Sequence, residues 1–312
     1  MSDSRTGSSE WWPSVTVVVP THGRPELLPD AVRSVLSQRY PGPLECLVVH
    51  DREEPAVPDV PVPDRTELRA IRSDRAPGPS GTRNAGALAA GSELLAFCDD
   101  DDVWLPDKLR LQVEALRAHP ECAVATCGII LCNGREVRRV PERELVTREY
   151  LLGRRRFEVA STSTLLVRRT AMVEEIGLLD EDIPGSYGED YEWHLRASAL
   201  APIVAVRQAL VRVRWGHSYF GQNWPAIIAG IRYQLERWPN LERDRANLAR
   251  LYGRLAFAHA ALGDRGEAKR WAKRAMAADW RQPRSYLAVL VAHRLLSPRM
   301  VVRLAHAAGR GV

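Results

Sequence analysis

A short apolar run followed by four consecutive aspartates constrains this chain more than any other feature. Leu94–Cys98 has the length and composition of a strand buried on both faces. Asp99–Asp102 follow directly, and Pro106 is expected to open a helix. Because adjacent carboxylates repel one another, they fit a hard divalent cation, which takes oxygen ligands and shares them with substrate phosphates. A solvated acidic turn that caps the following helix is the alternative.

Strands and helices alternate over the first hundred residues. The β-branched run Val15–Val19 and the run Leu44–Val49 predict buried strands, and a weaker strand is predicted near 68–71. Between these strands, Pro25 is expected to open one helix, and Ser80 is expected to cap another. The alternation predicts an α/β fold with a mostly parallel sheet and helices on both faces.

Polar residues follow three of these strands where each strand ends. They are Thr21–Arg24, Asp51 and Asp99–Asp102. In an open parallel sheet, ligands bind in the crevice beyond the carboxyl ends of the strands. We therefore expect these three clusters to form one site.

The second half of the chain adds further elements. The pattern predicts a strand at Ala123–Leu131, an extended segment at Glu158–Arg169 and a late strand at Val204–Val213. Between the last two, Glu189-Asp190 should open a helix. From about Arg232 the pattern is helical.

Charge divides the chain in two. From Trp224 onward there are 17 basic and 6 acidic residues, against 27 and 33 before it. This asymmetry predicts two units, which we assign as an α/β domain (14–223) and a basic helical domain (224–312). A flexible N-terminus (1–13) is expected to precede them. Small residues spaced around Gly263-Asp264 fit a tetratricopeptide-like helix–turn–helix. One such unit cannot bury its own apolar face, so it must dock on the first domain or on another chain.

These segments, taken in order, resemble family 2 glycosyltransferases of the GT-A fold. The resemblance covers roughly residues 14–220 and is carried by VTVVVPTHGRPELLPDAVRSVLSQ, Asp51, SGTRNAGALAAGSELLAFCDDDDVWLPDKL, STSTLLVRR and GEDYEWHLRA. It implies a metal-dependent, inverting glycosyltransferase. The donor would be a nucleotide-diphosphate sugar, with a UDP-sugar favoured, and the acceptor a hydroxyl of a polysaccharide, a natural product or a peptide.

By this resemblance the aspartates form a DXD motif that holds Mn²⁺ or Mg²⁺. Asp101 would be the metal ligand, and Asp99 a second ligand or a contact to the ribose. The run of four acids leaves the register ambiguous by one, so Asp100 is also assigned to the donor site. Since Asp99 and Asp101 are two apart, we expect both side chains on one face of an extended segment. His217 stands where the family often has a metal or diphosphate contact, although a lone histidine is more often structural.

The resemblance also implies a pocket for the nucleotide base. Asp51 would accept a hydrogen bond from the ring N–H of uracil or thymine, and Pro20, Thr21 and Arg24 would line the same pocket. A plain turn aspartate is the alternative for Asp51.

Two further pairs complete the implied site. The Arg83 guanidinium offers a planar fork for phosphate oxygens, whereas Asn84 could also be a helix cap. Asp190 would be the general base that takes the proton of the acceptor hydroxyl, while Glu189 holds the acceptor or a loop. The alternative is that both acids simply favour the first turn of a helix. A base without a protein nucleophile implies single displacement with inversion at the anomeric carbon.

Partners and location follow from composition. No apolar run reaches the ~18 residues of a membrane span, and the polar N-terminus does not resemble a signal peptide, so a cytoplasmic protein is expected. The basic helices allow three interpretations: peripheral contact with the inner membrane face, a module for homodimer formation or for binding an acceptor protein, or a solvated basic face. Docking with a role in acceptor binding or self-association is favoured, and nucleic acid is not an expected partner. Two other functions are considered: a non-catalytic scaffold that binds through its helical tail, and a sugar nucleotidyltransferase.

Overall fold

A single mixed sheet lies at the centre of the molecule. The computed structural model describes residues 12–132, 135–152, 161–214, 223–237 and 245–307. The strands in these ranges are β1 (Val15–Thr21), β2 (Leu44–Asp51), β3 (Thr66–Ser73), β4 (Leu94–Phe97), β5 (Val103–Trp104), β6 (Val124–Cys132), β7 (Glu136–Arg139), β8 (Leu145–Val146), β9 (Leu166–Arg168) and β10 (Ile203–Arg214). They lie in the order β3-β2-β1-β4-β9-β6-β10-β5, with β7 beside β6 and β8 beside β10.

Helices cover the sheet and form the C-terminal part of the chain. The α-helices of the described ranges are α1 (Leu28–Leu36), α2 (Pro79–Ala89), α3 (Lys108–Ala118), α4 (Arg148–Leu152), α5 (Glu189–Leu200), α6 (Trp224–Arg237), α7 (Arg245–Ala261), α8 (Arg265–Ala278), α9 (Pro283–Ala292) and α10 (Pro298–Ala307). Short helical turns lie at Thr162–Thr164, Ala171–Glu175 and Pro184–Ser186.

The predicted α/β class is confirmed. Strands β1 to β4 pair in parallel, and β10 runs parallel to β6. One strand departs from the prediction, because β9 is antiparallel to both β4 and β6 and joins the two parallel groups. Within the segment predicted as extended, Thr162–Thr164 form a helical turn, Leu166–Arg168 form β9, and residues 158–160 lie outside the described ranges.

Two helices begin later than their prolines predicted. Residues 25–27 form turns, and α1 begins at Leu28. The Leu28 N–H donates to the Arg24 carbonyl across 3.3 Å, so the chain turns before it enters the helix. Similarly, residues 106–107 are a turn and α3 begins at Lys108. In both places proline supplies the fixed φ of a turn that precedes the helix.

Helix α2 differs from the prediction at its cap. It begins at Pro79 without a side-chain cap, so the prediction that Ser80 caps it is wrong. The Ser80 hydroxyl instead hydrogen-bonds the Ser186 Oγ across 3.2 Å. Further along this helix, a Cβ on Gly86 would lie 2.4 Å from a methyl carbon of Val18. Glycine at 86 therefore lets α2 pack closely on β1, which fixes where α2 places its side chains.

The sheet has an apolar core on each face. Because side chains alternate along a strand, Val17 and Val19 of β1 join the core under α1 and α3, whereas Val18 joins the core under α2 and α5. All seven residues of β1 are buried. This explains the unbroken β-branched run in the sequence.

The C-terminal helices pack on the sheet domain rather than standing apart. The helical region begins at Trp224, earlier than the predicted Arg232. Leu255 of α7 lies in the same core cluster as Trp193 of α5. The turn predicted at Gly263-Asp264 is confirmed, and Asp264 caps α8 by accepting from the Glu267 N–H. The tetratricopeptide-like character of these helices stays a prediction. Of the helices in the described ranges, none is both long and apolar enough to span a membrane.

Candidate active site

The carboxyl ends of three neighbouring strands meet at one edge of the sheet, as the sequence predicted. In the parallel register Thr21 of β1 lies beside His50 of β2, and Val18 lies beside Phe97 of β4. The Thr21 hydroxyl donates to Asp100 Oδ2 across 2.9 Å. The polar residues that follow β1 and β4 are therefore in direct contact.

The four aspartates form a tight turn, so the expectation of an extended segment is wrong. The Asp102 N–H donates to the Asp99 carbonyl across 3.0 Å. Arg24 closes the turn, because its Nη1 lies 3.1 Å from Asp100 Oδ1 and 2.9 Å from Asp101 Oδ2. The turn thus depends on partners from β1 and the loop behind it, which periodicity along residues 99–102 does not reveal.

The carboxylates of this turn differ in how far they are exposed. The side chains of Asp99 and Asp101 are 28% and 16% exposed, whereas that of Asp100 is 7% exposed and held by Thr21 and Arg24. Burial, and then the neighbouring charge of Asp99, raises the pKa of Asp101 to about 6. A cation at Asp99 and Asp101 would relieve this repulsion.

The donor set fits a metal that is shared with a substrate. Within the described ranges, no three His, Cys, Asp or Glu side chains converge as a complete protein-only metal site. Mg²⁺, however, is often bound by one or two carboxylates together with substrate phosphates. Asp99 and Asp101 can supply those two carboxylates. The predicted ligand His217 lies outside the described residues, together with the rest of 215–222.

Arg83 connects the acidic turn to helix α5. Its Nη2 donates to Asp99 Oδ1 across 2.6 Å, and its Nη1 donates to Glu189 Oε1 across 3.0 Å. Burial by itself would lower the pKa of Arg83, but the carboxylates of Asp99 and Glu189 outweigh burial and raise it. The guanidinium is therefore a buried cation between two carboxylates, and its contact with a donor phosphate stays a prediction.

Asn84 holds a loop in place. Its Nδ2 donates to the Leu179 carbonyl across 2.8 Å and to Glu181 across 2.7 Å, and its Oδ1 accepts from the Leu179 N–H across 3.0 Å. The side chain is fully buried within α2, so the helix-cap alternative is wrong. Its assignment to the donor remains a prediction.

The candidate base lies at the start of α5. Gly188, with φ of +84°, precedes the helix and lets the chain turn sharply into it. Burial raises the pKa of Asp190 to about 6, and burial followed by the Asp190 charge raises that of Glu189, against which the Arg83 cation acts. The Tyr191 N–H donates to Asp190 Oδ1 across 2.7 Å. A carboxyl group with a raised pKa has the basicity that proton abstraction near neutral pH requires.

Asp51 ends β2 and keeps one oxygen without a partner. Its Oδ2 accepts from the Gly78 N–H across 2.8 Å, whereas its Oδ1 is buried without a hydrogen bond. Pro20 lies beside Val49 in the same strand pair. The neighbouring His50 is held by its own loop, because its Nε2 lies 2.8 Å from the Ala56 carbonyl oxygen.

Sequence reasoning missed four residues near the base. Tyr187 and Tyr191 flank Glu189-Asp190, and Arg254 and Arg250 of α7 lie over their rings at 5.9 and 5.1 Å. The arginines follow Asp190 by about sixty positions and belong to a helix predicted to be a separate domain. Their spacing of four residues on one helix was the available signal, but nothing in it indicated which surface they face.

Curated relatives align with part of the chain. The "Succinoglycan biosynthesis protein ExoO" of Rhizobium meliloti is 36% identical over 136 residues, which are 43% of this chain and 38% of ExoO. The "UDP-Glc:alpha-D-GlcNAc-diphosphoundecaprenol beta-1,3-glucosyltransferase WfgD" of Escherichia coli is 26% identical over 104 residues, 33% of this chain and 40% of WfgD. The chain thus spans about two-fifths of the length of these relatives.

Two solved structures identify the fold over most of the chain, and a family model matches about half of it. TarS of S. aureus, solved with UDP-GlcNAc, gives a TM-score of 0.58 at 16% identity, and the match covers 95% of this chain and 92% of the TarS chain. The mannosyltransferase PcManGT of Pyrobaculum calidifontis, solved with GDP-Man and Mn²⁺, gives a TM-score of 0.51 at 16% identity, and the match covers 94% of this chain and 83% of the PcManGT chain. These likenesses establish the GT-A fold. The model of "Glycosyl transferase family 2" matches residues 16–173, just over half of the sequence, and the chain therefore belongs to glycosyltransferase family 2.

Proposed function

We propose that this chain transfers a sugar from a nucleotide-diphosphate sugar to an acceptor hydroxyl. One observation carries the proposal most directly: Arg83 joins Asp99 of the acidic turn to Glu189 beside the candidate base. A glycosyltransferase needs a cation-binding group for the leaving diphosphate and a base for the acceptor. The contacts through Arg83 connect the two groups.

A UDP-sugar is the proposed donor. The buried, unpartnered Oδ1 of Asp51 is an acceptor for a base ring N–H, which uracil carries. Thymine carries the same group, so a TDP-sugar stays the second choice. TarS was solved with UDP-GlcNAc, which supports this donor class, whereas PcManGT was solved with GDP-Man.

The residues of the chain then have distinct roles. Asp99 and Asp101 would hold Mn²⁺ or Mg²⁺, which when bound supplies a Lewis acid that neutralises the departing diphosphate. Arg24 and Thr21 keep the acidic turn in place. Asp190 takes the proton of the acceptor hydroxyl as that oxygen attacks the anomeric carbon. Since no protein nucleophile takes part, the reaction is one displacement with inversion.

The acceptor is proposed as a class. WfgD is named for a diphosphoundecaprenol-linked acceptor and ExoO for succinoglycan biosynthesis. We accordingly propose a growing polysaccharide or a lipid-linked sugar before a natural product or a peptide.

The C-terminal helices, which begin at Trp224 and pack on the sheet domain, are proposed to contact an anionic membrane surface. On α10, Arg299 and Arg303 are exposed one turn apart, and Met300 and Leu304 repeat that spacing beside them. Leu304 is 64% exposed. Exposed aliphatic side chains interleaved with arginines are typical of helices that lie at a lipid interface. A homodimer through the same helices stays a prediction.

The proposed function is tested by thermal unfolding with UDP-, TDP- and GDP-sugars, each with and without Mn²⁺. At 100 times its dissociation constant a ligand adds about 2.7 kcal/mol to the free energy of unfolding. We expect a metal-dependent stabilisation by UDP-sugars that Asp101→Asn abolishes. Asp107→Asn, at a half-buried acid that follows the same turn, should preserve it.

Thermal unfolding separates an enzyme from a scaffold, and an assay of the released product separates the two enzyme classes. A scaffold would show no stabilisation by any nucleotide sugar with metal present. A nucleotidyltransferase would release pyrophosphate from a nucleoside triphosphate and a sugar phosphate, whereas a glycosyltransferase would release UDP. The absence of any stabilisation, or the release of pyrophosphate, would overturn the proposal.

A further inference from the structure

Two arginines of α7 lie against the segment that carries the candidate base. The Arg254 guanidinium is 5.9 Å from the Tyr187 ring centroid, and the Arg250 guanidinium is 5.1 Å from the Tyr191 ring centroid. The two tyrosines flank Asp190 in sequence, and the charge of Arg254 acts on the Asp190 carboxylate. Helix α7 thus places the charge of Arg254 near the candidate base and Arg250 against Tyr191, the residue that follows it.

Among the residues that the structure describes, no carboxylate forms an ion pair with either arginine. Arg254 is partly buried, its Nε is buried without an acceptor, and it forms no hydrogen bond with the described residues. Arg250 donates from Nη2 to Asn247 Oδ1 across 2.6 Å. Burial lowers the pKa of Arg250, and the like charge of Arg254 lowers it further, although Tyr191, which hydrogen-bonds Arg250, acts in the opposite direction. Cations desolvated in this way cost free energy unless an anion compensates them.

The position of Arg250 and Arg254 indicates which anion these two arginines bind. The charge of Arg254 acts on the Asp190 carboxylate, and Arg250 lies against Tyr191, the next residue. The donor diphosphate is expected at Asp99 and Asp101, and the Arg83 guanidinium lies between Asp99 and Glu189. An anion held by α7 would therefore accompany the molecule that Asp190 deprotonates.

We propose that Arg250 and Arg254 bind a phosphate group of the acceptor, close to its reacting hydroxyl. The planar guanidinium fork matches phosphate oxygens, and such charged hydrogen bonds are about twice as strong as neutral ones. The inference rests on the proposed function and narrows its acceptor to a phosphate-bearing sugar, such as a lipid-linked one. The helical extension then completes the acceptor site.

The test uses the full chain with its donor site filled by UDP and Mn²⁺. Geranyl monophosphate is the probe and geraniol, which lacks the phosphate, is its uncharged counterpart; both are titrated by calorimetry. We expect the phosphate to bind and the alcohol not to bind. Arg254→Gln and Arg250→Gln should each weaken phosphate binding by about tenfold, and Arg254→Lys should weaken it less.

The control is Arg274→Gln, because Arg274 also stacks on aromatic rings, at 4.9 Å from Trp271, but lies on α8. It should bind the probe like the wild type. Melting temperatures without ligand show whether each variant is folded. If Arg254→Gln unfolds, Arg254→Lys, which retains the positive charge, replaces it in the binding comparison.

Binding of UDP with Mn²⁺ is measured for the same proteins and distinguishes the two sources of phosphate. If the arginines serve the acceptor, UDP affinity is unchanged in Arg254→Gln. A loss of UDP affinity in that variant would assign the arginines to the donor diphosphate and overturn the inference. Equal binding of geranyl monophosphate and geraniol would also overturn it, yet the proposed function would stand as long as UDP binds with Mn²⁺.

Discussion

Nη1 of Arg83 lies 3.0 Å from Glu189 Oε1, and both side chains are more than nine-tenths buried. Its other terminal nitrogen donates to Asp99. One cation from α2 thus neutralises a carboxylate at the start of α5 and another at the end of β4. The proposed donor end and the proposed acceptor end of the candidate site consequently both contact a single side chain.

Replacing Arg83 with methionine should destabilise the fold as well as the site. The substitution leaves Glu189 buried without its cation, and breaking a buried pair in this way costs roughly 3–5 kcal/mol. Urea unfolding measures the loss. Arg110→Met is the matched control, because Arg110 also bridges two acids, Asp107 and Glu114, but on the surface; it should change stability little. Equal losses in the two variants would contradict the role assigned to Arg83.

Removal of the candidate base should affect turnover and leave donor binding intact. Asp190→Asn cannot accept the hydroxyl proton, so kcat should fall by about 10²–10⁴-fold, while the dissociation constant of UDP with Mn²⁺ stays the same. Stopped assays of UDP release measure the first quantity and calorimetry the second. Asp180→Asn is the control, since Asp180 accepts from the Tyr233 hydroxyl across 3.0 Å outside the candidate site. A fully active Asp190→Asn would assign the base to another residue.

The pH dependence of turnover should report the buried base. Burial raises the pKa of Asp190 to about 6. The base works as the carboxylate, so kcat/KM is lost as the pH falls through that value and rises above it. Because the charge of Arg254 lowers the pKa of Asp190, Arg254→Gln should move the rise to higher pH. A rise centred near pH 4, the ordinary range of aspartate, would show that the group controlling turnover lacks the raised pKa expected of the buried Asp190.

The strands and the edge they share were predictable from the sequence because local composition determines both. The unbroken β-branched run of β1 indicates burial on two faces, and its carboxyl end fixes where Thr21 lies. The geometry of the acidic turn was not predictable, since Arg24 shapes it from another part of the chain. Arg254 was missed for the same reason, because only the packing of α7 on the sheet domain brings it to Asp190.

A buried lysine gives a stability prediction that is independent of catalysis. The Lys108 side chain is fully buried, with Nζ 2.8 Å from Gln112 Oε1 and 3.6 Å from the Trp104 ring centroid. Burial lowers the pKa of Lys108 to about 8. The folded pKa is below the unfolded value of about 10.4, so unfolding takes up a proton between these values and stability rises with pH there.

Lys108→Met removes this titration. The free energy of unfolding of the wild type, relative to the variant, should rise by roughly 3 kcal/mol between about pH 7 and pH 10.5. Urea unfolding across that range measures the difference. Lys269→Met, on the exposed side of α8, should show no such slope. A flat difference for Lys108→Met would mean that Lys108 keeps an ordinary pKa in the folded protein.

Contact of α10 with an anionic membrane can be measured directly with vesicles. Each arginine near such a surface contributes about 1 kcal/mol, so Arg299→Gln with Arg303→Gln should weaken binding to phosphatidylglycerol-containing vesicles by roughly thirtyfold. Binding is measured by co-sedimentation, and the difference from binding to pure phosphatidylcholine vesicles gives the charge-dependent part of the affinity. The double variant Arg265→Gln with Lys269→Gln removes the same charge from exposed positions of α8 and should bind nearly as well as the wild type. Equal losses in the two double variants would mean that net charge, and not the surface of α10, attracts the protein to the membrane.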